Sequence, residues 1–175
     1  ISSYGGIKII EYKKQSVIVK NLKISKKNLL KLQRNLIFFY TGQTRKSYQY
    51  LNNKKKNLNK NINNLLLLKD LTNKIIHELR KEKLNIKKIG NILGDNWYVK
   101  RKFTKNITNN SLNKIYNLAI KSGCHGGKLL GAGGGGFFLF VCDEKSHKKI
   151  EKKLKNCEKV DFKFTDISSE TIFAN

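Results

Sequence analysis

Gly126-Gly-Lys-Leu-Leu-Gly-Ala-Gly-Gly-Gly-Gly-Phe-Phe-Leu-Phe-Val-Cys142 decides how this chain is read, because the six residues from Gly131 to Gly136 contain five glycines set between two apolar stretches. Glycine loses more backbone freedom on folding than any other residue. Concentrating it here marks a close approach of backbone N–H groups to an anion, or to a loop that holds one. Gly131, Gly133 and Gly136 formally satisfy G-x-G-x-x-G. A dinucleotide fingerprint opens a helix, however, whereas Phe137 to Cys142 is apolar, aromatic and bounded by Asp143, which predicts a strand. The Walker Lys-Ser/Thr pair is replaced by Phe137-Phe138. Gly131, Ala132, Gly133, Gly134, Gly135 and Gly136 therefore read as a phosphate-site loop that feeds a strand.

Working outward, Ile7 and Ile9 answer Val17 and Val19 across the polar turn Lys13-Lys-Gln-Ser16, the pattern of a β-hairpin. Leu36-Ile-Phe-Phe-Tyr40 is a short continuous apolar run, predicting a strand buried on both faces. Tyr48 to Asn64 is Lys/Asn low-complexity sequence, read as a solvated helix or a mobile excursion. Leu65, Leu68, Leu71, Ile75 and Leu79 share one helical face, and Ile86, Ile89, Leu93 and Trp97 share the next; both stripes are assigned to core. Gly90 and Gly94, one turn apart, leave room for another backbone. Ser111 is placed as the cap of a helix burying Leu112, Ile115, Tyr116 and Ala119, with Gly123 as its stop. Asp143 is placed as the cap of a helix presenting Ile150 and Leu154, and Val160, Phe162 and Phe164 alternate as a half-exposed strand. Strands mixed with separate helices indicate an α+β fold, an antiparallel sheet with helices on one face.

The net charge of +25 raises nucleic-acid binding. Its texture speaks against a specific reader: Arg34, Arg45, Arg80 and Arg101 are the only arginines, and the remaining cations are lysines spread through Asn- and Ile-rich sequence. Such charge favours anionic substrates. Cys124, Cys142 and Cys157 are odd in number and lack C-x-x-C spacing, so they read as buried or incidental thiols. His77, His125 and His147 are too dispersed for a metal site, although His125 adjoins the glycine loop and is weighed as a phosphate contact. Signal peptide and membrane-length apolar run are both lacking, which points to a cytoplasmic protein without a membrane partner.

The stretch Gly126 to Phe140 resembles the third motif of the GHMP small-molecule kinases, in the form carried by the heptose 7-phosphate kinase branch. Phe39-Tyr-Thr-Gly-Gln-Thr-Arg45 is similar to that branch's Tyr-Thr-Gly-x-Thr-Arg stretch. Ile89 to Trp97, with Lys100 and Arg101, is similar to its Leu-x-x-x-Trp-x-x-Lys-Lys helix; Gly94 departs from the pattern, which usually has histidine there. The resemblance implies a ferredoxin-like C-terminal domain over residues 36–175, preceded by a remnant of the N-terminal domain, a β-hairpin and helix, over residues 1–35. It implies ATP and Mg²⁺ as cofactors, a small-molecule sugar phosphate as substrate, and transfer of the γ-phosphoryl group to a sugar hydroxyl.

Within that resemblance the glycine loop would shape the γ-phosphate pocket. Thr41 and Thr44 are candidate hydroxyl donors to substrate or, alternatively, local turn residues. Arg45 is the candidate grip on the sugar's phosphate, a surface ion-pair residue being its alternative. Ile1-Ser-Ser-Tyr-Gly-Gly6 is similar to the run that follows the family's catalytic aspartate. The general base is therefore expected upstream of Ile1, together with a missing N-terminal kinase half, and residues 1–175 alone are expected to be inactive. Other GHMP kinases, of the galactokinase or mevalonate kinase kind, and a non-catalytic basic binding module are the competing readings.

Overall fold

The computed structural model describes residues 4–44, 61–103 and 106–169. Strands β1 (Lys8–Tyr12) and β2 (Val17–Asn21) form the expected antiparallel hairpin, with the Lys13 N–H donating to the Ser16 carbonyl at 2.8 Å. Helix α1 (Lys26–Arg34) starts at Ser25, whose hydroxyl accepts the Asn28 N–H. β3 (Leu36–Tyr40) follows, then α2 (Ile62–Leu79), α3 (Ile86–Arg101) and α4 (Asn110–Lys121). β4 (Cys124–Leu129) and β5 (Phe137–Cys142) flank the glycine loop. A 3₁₀ turn (Glu144–Ser146), α5 (His147–Lys153) and β6 (Glu158–Val160) complete the order.

β3 to β6 form one four-stranded sheet in the order β4-β5-β3-β6, and every neighbouring pair is antiparallel. Helices intervene between β3 and β4 and between β5 and β6, which makes this the split βαβ arrangement of an α+β fold. Alternate strand residues enter two apolar clusters. Ile37, Phe39, Phe138, Phe140 and Cys142 pack with Leu112 and Ala119 of α4 and with Ile150 of α5. Leu36 and Val141 pack instead with Leu32 of α1 and with Ile86 and Ile89 of α3. β3 is thus buried from both sides, as its unbroken apolar run predicts.

Several local expectations change. Asn109, not Ser111, caps α4: its side chain accepts the Leu112 N–H at 2.9 Å, while the Ser111 hydroxyl receives Gln43 Nε2. Asp143 makes no side-chain cap; it precedes the 3₁₀ turn and lies 3.4 Å from His125 Nε2. Phe162 and Phe164 lie beyond β6, but their rings still pack, Phe162 at 4.6 Å from Phe38. Leu65 is exposed, because α2 turns its inner face only from Leu68 and Leu71 onward. Of the Lys/Asn segment, residues 48–60 lie outside the described residues, and 62–64 open α2.

β4 was hidden by its glycines, and their reason is backbone contact. A Cβ on Gly126 would stand 1.9 Å from the Gly90 carbonyl oxygen of α3, and one on Gly90 would stand 2.5 Å from the Cβ of His125. Helix and strand meet main chain to main chain. Lys128 reaches from the same strand to α3, donating to Asn96 Oδ1 at 2.7 Å, and burial pushes its ammonium pKa down.

Candidate functional site

The glycine loop joins β4 to β5, and its backbone explains its composition. Gly131, Gly133, Gly134 and Gly136 have φ of 70°, 102°, 79° and 96°, a region that a side chain makes costly. The loop is also hemmed in on two sides. A Cβ on Gly135 would lie 2.5 Å from the Gln43 carbonyl oxygen, and one on Gly133 would lie 3.0 Å from that of Ile107.

Three braces hold it. The segment after β3 supplies the first: Thr41 donates both its N–H (2.9 Å) and its hydroxyl (2.8 Å) to the Gly136 carbonyl, and the Gly136 N–H donates to Gln43 O at 2.8 Å. Ile107 supplies the second, its carbonyl accepting the Gly134 N–H at 2.9 Å. Lys100, near the end of α3, supplies the third by donating to the carbonyls of Leu129 (3.3 Å) and Gly131 (2.6 Å). An ammonium group aimed at two carbonyls fixes the loop's entry in one shape. Gln43 then ties the arrangement to the start of α4, donating to Ser111 and accepting from Asn109.

Aromatic packing steadies the exit. Trp97 is fully buried and meets Phe138 edge-on, with ring centroids 5.8 Å apart. Arg101 lies over Trp97, Tyr98 and Tyr116 at 5.7, 5.7 and 5.9 Å, so it is engaged with rings on α3 and α4.

The predicted residues are therefore brought together unevenly. Thr41 is buried and its hydroxyl is committed to Gly136; Thr44 is exposed two residues beyond Gly42; Arg45 lies outside the described residues. His125 is not beside the loop. It stands near the start of β4, roughly 17 Å from Leu130 at ~3.4 Å per strand residue, because Gly126 to Leu129 are extended. Lys100, Gln43 and Ile107 were not singled out as loop contacts. Lys100 carried a signal in the Trp97-x-x-Lys100 spacing and Gln43 in its place within Phe39 to Arg45; Ile107 carried none.

What can the loop hold? The N–H groups of Ala132 and Gly135 have no protein acceptor among the described residues, and a Cβ on Gly131 or Gly136 would meet nothing within 4 Å. Open space beside unengaged donors fits a phosphate. No three His, Cys, Asp or Glu side chains are grouped to hold a metal ion among the described residues. No described helix is long and apolar enough to cross a membrane.

Residues 75–159 match the family model described as GHMP kinases C terminal. The chain is 29% identical over 176 residues to D-glycero-alpha-D-manno-heptose 7-phosphate kinase of Campylobacter jejuni, covering 94% of this chain and 49% of that protein. Among solved structures, a D-glycero-D-manno-heptose 1-phosphate kinase from Bacteroides thetaiotaomicron superposes with a TM-score of 0.69 at 20% identity, over 99% of this chain and 47% of that one. Mevalonate kinase of L. major superposes with a TM-score of 0.68 at 18% identity, over 87% and 45%. The chain thus spans about half the length of the relatives it matches. With the braced loop between two antiparallel strands and these likenesses together, the chain carries over residues 75–159 a GHMP kinase C-terminal domain.

Proposed function

We propose that the protein to which these residues belong is an ATP-dependent kinase that phosphorylates a hydroxyl of a sugar phosphate of the heptose 7-phosphate kind. The observation that carries this is the braced glycine loop, which leaves the Ala132 and Gly135 N–H groups unengaged inside a GHMP kinase domain. Likeness to a heptose 7-phosphate kinase directs the choice of acceptor. ATP, when bound, supplies the phosphoryl group. Phosphoryl transfer depends on positioning and charge stabilisation more than on a nucleophilic side chain, and rigid backbone donors supply both.

In this reading the residues Gly131 to Gly136 hold phosphate oxygens. Thr41, Ile107 and Lys100 act through the loop by fixing its shape. Arg45, only two residues past the Gln43 brace in sequence, grips the phosphate on the sugar, and Thr44 donates beside it. Residues 1–35 form part of the N-terminal domain, 36–175 make up the C-terminal one, and the enzyme works in the cytoplasm.

The test uses the full-length protein with ATP, Mg²⁺ and heptose 7-phosphate, following ADP release. Arg45→Lys is expected to raise the sugar-phosphate KM and leave the ATP KM unchanged, since lysine keeps the charge but loses the bidentate fork. Arg45→Ala is expected to lower kcat/KM by about 1.5–3 kcal/mol, the range for a hydrogen bond to a charged group. No turnover of any sugar phosphate by the full-length protein overturns the proposal; an equal loss on an unphosphorylated sugar removes Arg45 from it.

A further inference from the structure

We propose that the cleft at the Asp143 end of β5 is a second anion site that binds a phosphate-bearing small molecule. It is separate from the glycine loop. The loop precedes Phe137 and the cleft adjoins Asp143, so the length of β5, about 17 Å at ~3.4 Å per residue, lies between them. Its volume is about 630 Å³, within the usual range for small-molecule pockets.

The wall is cationic and built. Lys31, Lys81, Lys83, Lys87 and Lys88 line it, against only two carboxylates, Glu78 and Asp143. Glu78 is 1% exposed, and its Oε1 accepts from Lys81 Nζ at 2.7 Å and from Lys88 Nζ at 2.8 Å. These two hydrogen bonds, Lys81's first, hold its carboxyl pKa below the ordinary value despite burial. Each ammonium group has three donors and spends one on Glu78. The buried carboxylate therefore gathers two cations at the cleft wall and leaves them donors to spare. Its other oxygen, Oε2, is buried with no hydrogen-bond partner. Burying that unpartnered oxygen offsets part of what the two ion pairs contribute to folding.

The loop between α2 and α3 that carries Lys81 and Lys83 is pinned from α1. Asn28 Nδ2 donates to the carbonyls of Lys81 and Glu82, at 2.8 and 3.1 Å, and Lys31 Nζ donates to that of Leu84 at 2.9 Å. The start of α3 opens on the same cleft. Its first turn contains no acidic residue and instead carries Lys87 and Lys88, adding positive charge to the positive end of the helix. An anion there relieves both. Asn85 caps the Lys88 N–H, and the earlier N–H groups of the turn have no intrahelical partner.

Glu78 is a positioning residue in this site, and its charge makes the test discriminating. Calorimetric titrations at 150 mM KCl use inorganic pyrophosphate and, separately, glucose 6-phosphate, with thermal melts to confirm folding. The exposed pair Lys83→Ala/Lys87→Ala leaves the Glu78 ion pairs intact and is expected to weaken binding at least tenfold. Glu78→Gln raises the net charge by one, so unspecific attraction predicts tighter binding, whereas loss of the lysine clamp predicts weaker binding. We expect the latter, with amide shifts of the parent protein on titration confined to residues 81–88. Binding of pyrophosphate alone assigns the phosphate group as the recognised element, and tighter binding of the sugar phosphate adds its polyol. Unchanged affinity in the lysine pair variant, tightening in Glu78→Gln, or no binding of either probe overturns the site.

Discussion

The carbonyl oxygen of Gly136 is held twice by Thr41, once through its N–H at 2.9 Å and once through its hydroxyl at 2.8 Å. Thr41→Val keeps the shape and the N–H bond but deletes the hydroxyl. It is expected to lower stability by about 1 kcal/mol, the net worth of a buried hydrogen bond. Thr41→Ser should recover most of that. A urea midpoint unchanged in the valine variant would mean that the hydroxyl does not brace the loop.

Glycines in the loop should differ in tolerance. Gly131→Ala meets only backbone strain at φ 70°, expected to cost about 1–2 kcal/mol. Gly135→Ala places a Cβ 2.5 Å from a main-chain oxygen that Gly136 also uses, so Gln43 must move and a bond is lost. Denaturation of the two variants side by side should rank Gly135→Ala clearly below Gly131→Ala. The reverse order would contradict the close approach of the Thr41–Gln43 segment.

Acid should act through Glu78. Its carboxyl pKa is depressed in the folded state by Lys81 and Lys88, so the stability it contributes is present above the unfolded value, about 4.3, and disappears as pH falls through the lower folded value. Melting temperatures measured from pH 7 down to pH 2 should fall more steeply for the parent protein than for Glu78→Gln. Parallel curves would remove the ion pairs from the folded state.

Alkali should act through Lys128 with the opposite consequence. Burial depresses its folded pKa below the ordinary 10.5, so between the two values the unfolded chain binds more protons and stability rises with pH. Lys128→Met removes this rise. The difference in urea midpoint between parent and variant, followed from pH 8 to 10.5, should shift in favour of the parent as pH increases; a constant difference would show that Lys128 is not desolvated.

Strong periodicity and unbroken apolar runs made β3, β5, the hairpin and α3 readable, because each pattern has one physical solution. The strand β4 was not readable. Gly126 and Gly127 have low strand propensity; what calls for Gly126 is the backbone of Gly90, 36 positions earlier in the sequence, and what calls for Gly127 is the close approach of Leu139 and Phe140 on β5. The cap of α4 failed for a similar reason. Asn109 and Ser111 are both good capping residues, and Gln43, distant in sequence, hydrogen-bonds both while only Asn109 caps. Leu65 carried the right spacing on α2, but spacing does not report where a helix runs out of partners. At the site, the glycines announced a loop; Ile107, Lys100 and Gln43, which give it one conformation, are distant in sequence and carry ordinary side chains. Local pattern shows what must be accommodated, and tertiary contact decides by whom.

The placement of the glycines bears on how this sequence can drift. The chain contains 13, in a composition crowded with lysine, asparagine and isoleucine. Nine of them have positive φ, and each of the other four, Gly90, Gly94, Gly126 and Gly127, lies within reach of atoms on a neighbouring element. Lysine, asparagine and isoleucine are spelled largely by A and T, and every glycine codon begins with two G bases. A gene losing G and C can exchange surface residues freely, but at Gly90 or Gly126 the first such change would drive a side chain into main chain of the facing element. The fold thereby sets a floor under the base composition of its own gene, at the codons for the glycine loop and the α3–β4 contact.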